Sequence, residues 1–484
     1  MTSADQPARI LFLLQRPEAW INLESLWHAL AKQGHVDCHA WVLPYNARDV
    51  ETTNAKTPQL VALLRERGIP FDTWPTGTPL EPGLFDVAVL NHPYDRERPR
   101  ALWLDALRKA IRHVVYVPYG LPAGGGRKNL LLQYAQPTQR NADLVIARSA
   151  LEKQQYARHC PRGDAHVIVT GLPRFDTLAS ALQRPIPGAM ARFIGNRTTL
   201  MWNAHFSFGR LHSQTSNFST FDLLGPTIFS LARQYRDQLC LIWRPHPGVV
   251  PALLKEGMLD HSSVSRLRAE LADIGIWWDD SPDHAAAFAA SDALATDPGS
   301  FVIEYLLMRR PMLVLENPEG EALNDEARML QAATCTASTP AQVEGFVLAL
   351  LEGRCTAPSE ETIAKHLPML DGQAGGRVAA EILRLLGRPA PHVPQAAPRR
   401  SSPQSGRQPA AVCDASPMIP ESALDTPVLD RLCRSLEGFS ASKHRETYTR
   451  KALRRAVRSV RSTFAETAKQ MPLMLAIRTF LTRK

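Results

Sequence analysis

The sequence predicts an α/β chain of two Rossmann-like, doubly wound parallel-sheet domains facing a cleft, followed by a disordered linker and a helical tail. Three observations predict it. The 484 residues exceed the usual size of one domain. Between Arg9 and Leu315, short apolar, β-branched runs of strand length alternate with longer stretches of helical spacing, the pattern of parallel βαβ units. Beyond Arg388 the composition shifts to proline, serine and basic residues.

The strand runs of the first half are Arg9 to Leu14, Asp37 to Leu43, Phe85 to Leu90, Val114 to Val117, Leu144 to Ala147 and Val167 to Thr170. Those of the second half are Thr198 to Asn203, Leu239 to Trp243, Ile274 to Trp278, Ala293 to Thr296 and Met312 to Leu315. Helices are expected over Phe221 to Tyr235, Asp283 to Ala290 and Ser300 to Met308. The turn-forming Gly171-Leu-Pro-Arg-Phe-Asp176 closes the first half. The expected domains are residues 1–180 and 181–388, then a linker over 389–420 and a tail over 421–484.

Composition narrows the function classes. Hydrophobic residues at 44% and charged residues at 21% allow buried cores and exclude a wholly disordered or collagen-like chain. No stretch approaches the roughly 18 apolar residues of a transmembrane helix, and the N-terminus lacks a basic-then-apolar leader, so a cytoplasmic location is expected. The seven scattered cysteines contain no CxxC pair and read as reduced, packed thiols. Neither a zinc site nor any other metal site is expected.

The net charge of +9 belongs to the tail: residues 389–484 carry 17 Lys and Arg against 7 Asp and Glu, leaving 39 against 40 for residues 1–388. A neutral body offers no broad footprint for nucleic acid, and the tail has no Trp to stack on bases. The linker holds 8 prolines in 32 residues and reads as extended or disordered. In the tail, Leu453, Val457, Val460, Phe464, Ala468 and Met471 share one helical stripe, with Arg454, Arg455, Arg458 and Arg461 largely off it. This basic amphipathic helix suits an anionic membrane surface; the structural alternatives are a short coiled coil or a helix docked on the body.

Ligands bind at the carboxyl ends of strands in open α/β sheets, which gives weight to four loops. In Trp243-Arg-Pro-His-Pro-Gly248, two prolines stiffen the backbone around Arg244, a forked cation suited to phosphate, and His246, a donor near neutral pH. In Thr296-Asp-Pro-Gly-Ser300, Asp297, Gly299 and Ser300 turn a strand into a helix whose first amides suit an anion, and Glu304 lies one turn on, placed to accept from ribose hydroxyls. Taken alone, the second loop also reads as a plain helix cap. His205, in Asn203-Ala-His-Phe-Ser207, faces the cleft or is structural. In the first half, His92 in Asn91-His-Pro-Tyr-Asp95 is a candidate general base or a structural residue. The run Gly124-Gly-Gly126 lacks the GxxxxGK[ST] spacing, so flexibility is its expected contribution.

The order of these segments resembles the CDP-glycerol glycerophosphotransferase family of teichoic-acid and capsule polymerases and primases. The resemblance rests on a strand ending in His205, then RPHP, Asp279-Asp-Ser-Pro-Asp283, Ser291-Asp292 and TDPGSFVIEYLLMRRP, with Gly171 to Asp176 similar to the interdomain signature. It implies a glycosyltransferase-B fold with an N-terminal acceptor domain and a C-terminal donor-nucleotide domain. Arg244, His246, Ser300 and Glu304 would lie at the donor's phosphates and ribose, and no separate cofactor is implied beyond a nucleotide-activated donor such as CDP-glycerol. A His-Gly pair that supplies the base in teichoic members is replaced here by Tyr119-Gly120, which leaves His92 as a substitute base, a different acceptor chemistry, or lost activity.

The resulting expectation is a transferase at the inner face of the plasma membrane. It would move a polyol phosphate or glycosyl unit to a lipid-linked or glycan acceptor, with a homo-oligomer admitted. A 2-epimerase of the same fold and a nucleotide-binding scaffold are the alternatives.

Overall fold

The computed structural model describes residues 6–45, 50–74, 80–208, 217–281, 283–391, 393 and 426–441. In chain order the strands are β1 (Ala8–Leu14), β2 (Val36–Val42), β3 (Asp72–Thr73), β4 (Val87–Leu90), β5 (His113–Tyr116), β6 (Leu144–Ala147) and β7 (Val167–Val169), then β8 (Thr198–Asn203), β9 (Leu239–Trp243), β10 (Ile276–Trp278), β11 (Ala293–Thr296), β12 (Met312–Leu315) and β13 (Cys335–Ala337). They form a seven-stranded sheet of order β3-β2-β1-β4-β5-β6-β7 and a six-stranded sheet of order β10-β9-β8-β11-β12-β13. All pairings between these strands are parallel.

The central strands form because they are buried on both faces. β4, β6, β9, β11 and β12 are buried at every position, which only a continuous apolar run tolerates. The edges differ: β3 is two exposed residues, and β13 has two exposed residues of three. In the six-stranded sheet Trp202 stacks on Phe221 and Trp243, at centroid distances of 5.6 and 6.1 Å, beneath the helix Phe221–Gln234.

Strand order places the ligand crevices. Each sheet runs outward in both directions from its first strand, so neighbouring crossovers leave on opposite faces between β1 and β4 and between β8 and β11. Ligands bind outside the carboxyl ends of such switch points. The loops there carry Arg16 and His92 in the first sheet, and His205 and Asp297 in the second.

The halves are joined at several places, of which three bring a returning helix, a buried ion pair and the glycine run against the other half. The helix Ala374–Leu385 returns to the first sheet's side and lies so close to the helix Glu24–Ala31 that a Cβ on Gly375 would fall 2.5 Å from the Ser25 carbonyl carbon. The Gly375 amide donates to Asp176 at 2.8 Å, and Arg377 donates to the Thr170 carbonyl at 2.7 Å. Deeper in, buried Arg148 pairs with Glu326, which also accepts from His366 at 2.9 Å. The third join corrects the flexibility expected of the glycine run. Gly124 bridges Leu323, the Gly125 amide donates to the Ala322 carbonyl at 2.6 Å, and a Cβ on Gly125 would lie 2.4 Å from the Leu323 oxygen. These glycines serve close backbone approach between the halves.

Residues 427–441 form a helix lying on the six-stranded side, where Val428, Leu429, Leu432 and Leu436 enter the core. Its first amides, those of Val428 and Leu429, donate to the buried Glu270 carboxylate at 2.8–3.2 Å, which satisfies donors that a helix start leaves open. The basic stripe from Leu453 to Met471 and nearly all of the linker lie outside the described residues. Among those residues no helix is long and apolar enough to cross a membrane. The six described cysteines carry free thiols.

Candidate functional site

The two switch points face one another, and each holds groups able to recognise an anion. On the second sheet's side, the RPHP turn leaves β9 with its backbone tied to the loop after β8: Arg244 N donates to the Trp202 carbonyl at 2.9 Å and Asn203 Nδ2 to the Arg244 carbonyl at 2.8 Å. This places His246 beside His205, with 5.4 Å between ring centroids, and Phe206 packs against both. The Gly248 amide donates to His246 Nδ1 at 3.1 Å, and the Ser207 amide to His205 Nδ1 at 3.2 Å. Each ring therefore keeps its proton on Nε2 and presents an N–H donor there.

Electrostatics fix the charge state. Burial, then the Lys56 and Arg16 cations, push His246 down to about 4. Burial, then His246, push His205 down to about 3. Both rings are neutral near pH 7. The first cause is desolvation, but the second reports a juxtaposition that the sequence did not reveal: Arg16 and Lys56, from the first half, act on His246 in the second. Arg16 follows β1 and lies between the rings of Tyr45 and Tyr119, 5.2 and 5.1 Å from their centroids. Lys56 projects from the helix Val50–Glu66 and pairs with Glu18.

His92 is buried at the β4 switch-point loop. Its ring packs on Tyr94 and Tyr119 at 4.9 and 4.8 Å, its Nε2 lies 3.3 Å from Glu97 Oε2, and its Nδ1 has no partner. Burial, Arg16 and Arg98 hold its pKa well below the usual histidine range, so it carries a lone pair at neutral pH.

The remaining residues singled out in the sequence are placed as follows. Arg244 donates from Nη1 to Asp279 at 2.5 Å and to Ser281 Oγ at 3.1 Å, and from Nη2 to the Ser281 carbonyl at 2.8 Å. Both tips of its fork hold the loop after β10, so a phosphate contact would require exchanging these bonds. Asp297 is buried and accepts from the His205 amide at 2.7 Å and from Thr220 Oγ1 at 2.6 Å. It shapes the loop that carries His205, and burial pushes its carboxyl up to about 7. Gly299 precedes the helix Ser300–Glu304, and Ser300 Oγ accepts from the Leu121 amide at 3.3 Å, across the halves.

Glu304 is 1% exposed and is held at one oxygen by Arg174 Nη2 at 2.9 Å, with His284 Nε2 2.8 Å from the other. Burial alone would raise its pKa, but Arg174 and His284 outweigh it and hold the carboxyl below its ordinary value. Arg174 Nη1 donates to the Tyr119 carbonyl at 2.7 Å. His284 joins the site through tertiary placement alone; Arg174 lay in the turn segment Gly171 to Asp176, and Arg16 carried a readable signal in its position just after a strand. Among the described residues no group of three or more His, Cys, Asp or Glu is arranged to hold a metal ion.

Comparison with solved structures supports the architecture. The chain is similar to a UDP-N-acetylglucosamine 2-epimerase at 16% identity, over 80% of this chain and 100% of that one, with a TM-score of 0.53. It is similar to the UDP-GlcNAc 2-epimerase of Methanocaldococcus jannaschii, solved with UDP-GlcNAc and UDP, at 15% identity over 78% and 99% of the two chains, TM-score 0.50. The wall teichoic acid polymerase TagF aligns at 11% identity over 79% and 90%, TM-score 0.48. No family model matches the chain. No curated protein matches it either. The fold is of the glycosyltransferase-B type: two parallel-sheet α/β domains of seven and six strands. At these identities the likeness speaks to fold alone.

Proposed function

We propose that the protein is a transferase that uses a nucleotide-activated donor, CDP-linked in the favoured reading, to deliver a polyol phosphate or glycosyl unit to a lipid-linked or glycan acceptor of a cell-surface polymer. The observation that carries this reading is the cross-cleft cluster, in which Arg16 and Lys56 of one half act on the neutral N–H donor His246 of the other, beside His205. Two fixed cations and two imidazole donors converging from both halves suit a diphosphate whose charge grows as the nucleotide leaves. The segment order from His205 to Pro311 supports the glycerophosphotransferase assignment.

For a CDP-polyol donor, the acceptor oxygen bonds to the distal phosphorus, the bond from that phosphorus to the bridging oxygen breaks, and CMP departs with the electron pair. His246, Arg16 and Lys56 stabilise the departing charge. His92, neutral and beside Glu97, is the candidate acceptor of the hydroxyl proton. Glu304, oriented by Arg174 and His284, is the candidate partner of the ribose hydroxyls. The tail, through its basic stripe, would hold the protein at the inner face of the plasma membrane.

A second reading, a nucleotide-sugar 2-epimerase, is favoured by the fold likeness to UDP-N-acetylglucosamine 2-epimerases. One experiment separates them. Purified protein and His246→Ala are screened by thermal shift against CDP-glycerol, CDP-ribitol and CMP-, UDP- and GDP-linked sugars, with products followed by phosphorus and proton NMR. Stabilisation by one donor that vanishes in the variant, with release of free nucleotide, supports transfer. An epimeric sugar still joined to its nucleotide supports the second reading. Binding without turnover favours a scaffold, and a folded protein indifferent to every donor overturns all nucleotide readings.

A further inference from the structure

We propose that the helix Gly126–Tyr134 is a membrane-contact element that seats the rim of the cleft on an anionic phospholipid surface. Three large hydrophobic side chains are exposed among the described residues, and two of them are neighbours on this helix: Leu131 at 45% and Leu132 at 39%. Exposed leucines scattered singly are ordinary. These are not scattered, because Arg127 lies one turn before Leu131 and Lys128 one turn before Leu132, so the four exposed residues make one continuous stripe of cation and apolar tip.

The opposite face is fixed to the protein. Tyr134 is buried with its ring 5.0 Å from that of Tyr156, Leu130 packs against the same cluster, and buried Asn129 donates to the Gly125 carbonyl at 2.9 Å. The stripe is thus held outward by a helix that starts directly at the Gly124–Leu323 bridge between the halves. An acceptor anchored in lipid would enter the cleft at this rim.

Charge selects the occupant. From Gly126 to Asn141 there is no Asp or Glu, while Arg127, Lys128 and Arg140 are cationic; one carboxylate, Glu321, approaches the helix start, 3.9 Å from where a Cβ on Gly126 would lie. The chain's own basic tail and a second copy of the stripe would each meet like charge there. An anionic lipid surface offers opposite charge for Arg127 and Lys128 and an apolar layer for the leucines. The proposal rests on the transferase reading for its purpose, the lipid-linked acceptor, but the contact is measured without any donor.

The test uses the full chain with vesicles of phosphatidylglycerol and phosphatidylcholine, against pure phosphatidylcholine, and reads hydrogen exchange across residues 126–134 together with co-sedimentation. The expected result is slowed exchange in this helix on the anionic vesicles only. In the double variant Leu131→Glu/Leu132→Glu the slowing is lost and vesicle partition falls about tenfold or more, at an unchanged thermal midpoint. Co-sedimentation with exchange in residues 126–134 unaltered assigns binding to the tail and overturns the proposal, as does absence of binding. Slowing that grows with protein concentration and needs no vesicles assigns the stripe to self-association, which also overturns it. None of these outcomes bears on the donor panel, whose failure leaves the lipid measurement intact.

Discussion

Arg174 grips both halves of the cleft, donating from one tip of its guanidinium to Glu304 at 2.9 Å and from the other to the Tyr119 carbonyl at 2.7 Å. Glu304 is 1% exposed, so its charge is sustained by Arg174 and His284 rather than by water. Removing one partner of a buried pair strands the other, at about 3–5 kcal/mol. Arg174→Ala is therefore expected to lower stability by about that amount, and Arg174→Ala/Glu304→Gln to recover a substantial part of it in chemical denaturation. The sign with pH follows from the depressed Glu304 carboxyl: its contribution is present above the ordinary carboxylate value and is lost as pH falls through the lower folded value. The gap between wild type and Arg174→Ala should narrow on acidification.

Arg16 and Lys56 depress His246 across the cleft, so removing either cation should let the imidazole rise from about 4 toward its ordinary value near 6.5. Histidine side-chain NMR titration of Arg16→Gln and Lys56→Gln reads this directly. An unmoved His246 in both variants would mean that the halves do not face each other as described. A diphosphate bound between these groups favours protonated His246, and linkage then requires affinity to rise as pH falls. Calorimetry at pH 5.5 in buffers of different ionisation heat should show proton uptake in wild type and none in His246→Ala.

The central strands and the loops behind them were legible because each strand is an apolar run buried on both faces and each loop begins where that run ends. β3 and β13 escaped the same reading since they are two and three residues long and mostly exposed. His246, His205 and His92 were legible as strand-end residues. Lys56 was not, because it belongs to a helix and meets His246 only after the halves close on each other. Arg174 lay within a recognised turn segment, but its two partners are 55 and 130 residues away. The glycine run was misread because sequence shows the missing side chains and not the Leu323 backbone that occupies their space.

Asp297 makes a separate prediction about pH. Its folded carboxyl is pushed up to about 7 by burial, while the unfolded one titrates near the ordinary value of 3.8. Below both values, and in the protonated state generally, it costs nothing. Between about pH 4 and 7 the folded state binds the extra proton, so this group's contribution falls as pH rises through that window and stays unfavourable above it. Asp297→Asn keeps an acceptor for the His205 amide and a polar contact for Thr220, and it cannot ionise. Thermal midpoints followed from pH 5 to pH 8.5 should fall less in Asp297→Asn than in wild type; parallel curves would refute the poised carboxyl.

The bridge between the halves gives the last test. A Cβ on Gly125 would sit 2.4 Å from the Leu323 oxygen and 2.6 Å from its carbonyl carbon, both backbone atoms that no rotamer change can move aside. Gly125→Ala must therefore push the loop carrying Ala322 and Leu323 away and weaken the Gly125 amide's bond to the Ala322 carbonyl. Overpacking of this kind costs about 1–3 kcal/mol. Because the strain falls at one interdomain contact, its readout is local: faster hydrogen exchange in residues 123–126 and 320–324 and a larger radius of gyration by small-angle scattering, with the sheets' own exchange unchanged. Gly120→Ala, where a Cβ meets nothing within 4 Å, is the matched control and should leave both measurements as in wild type.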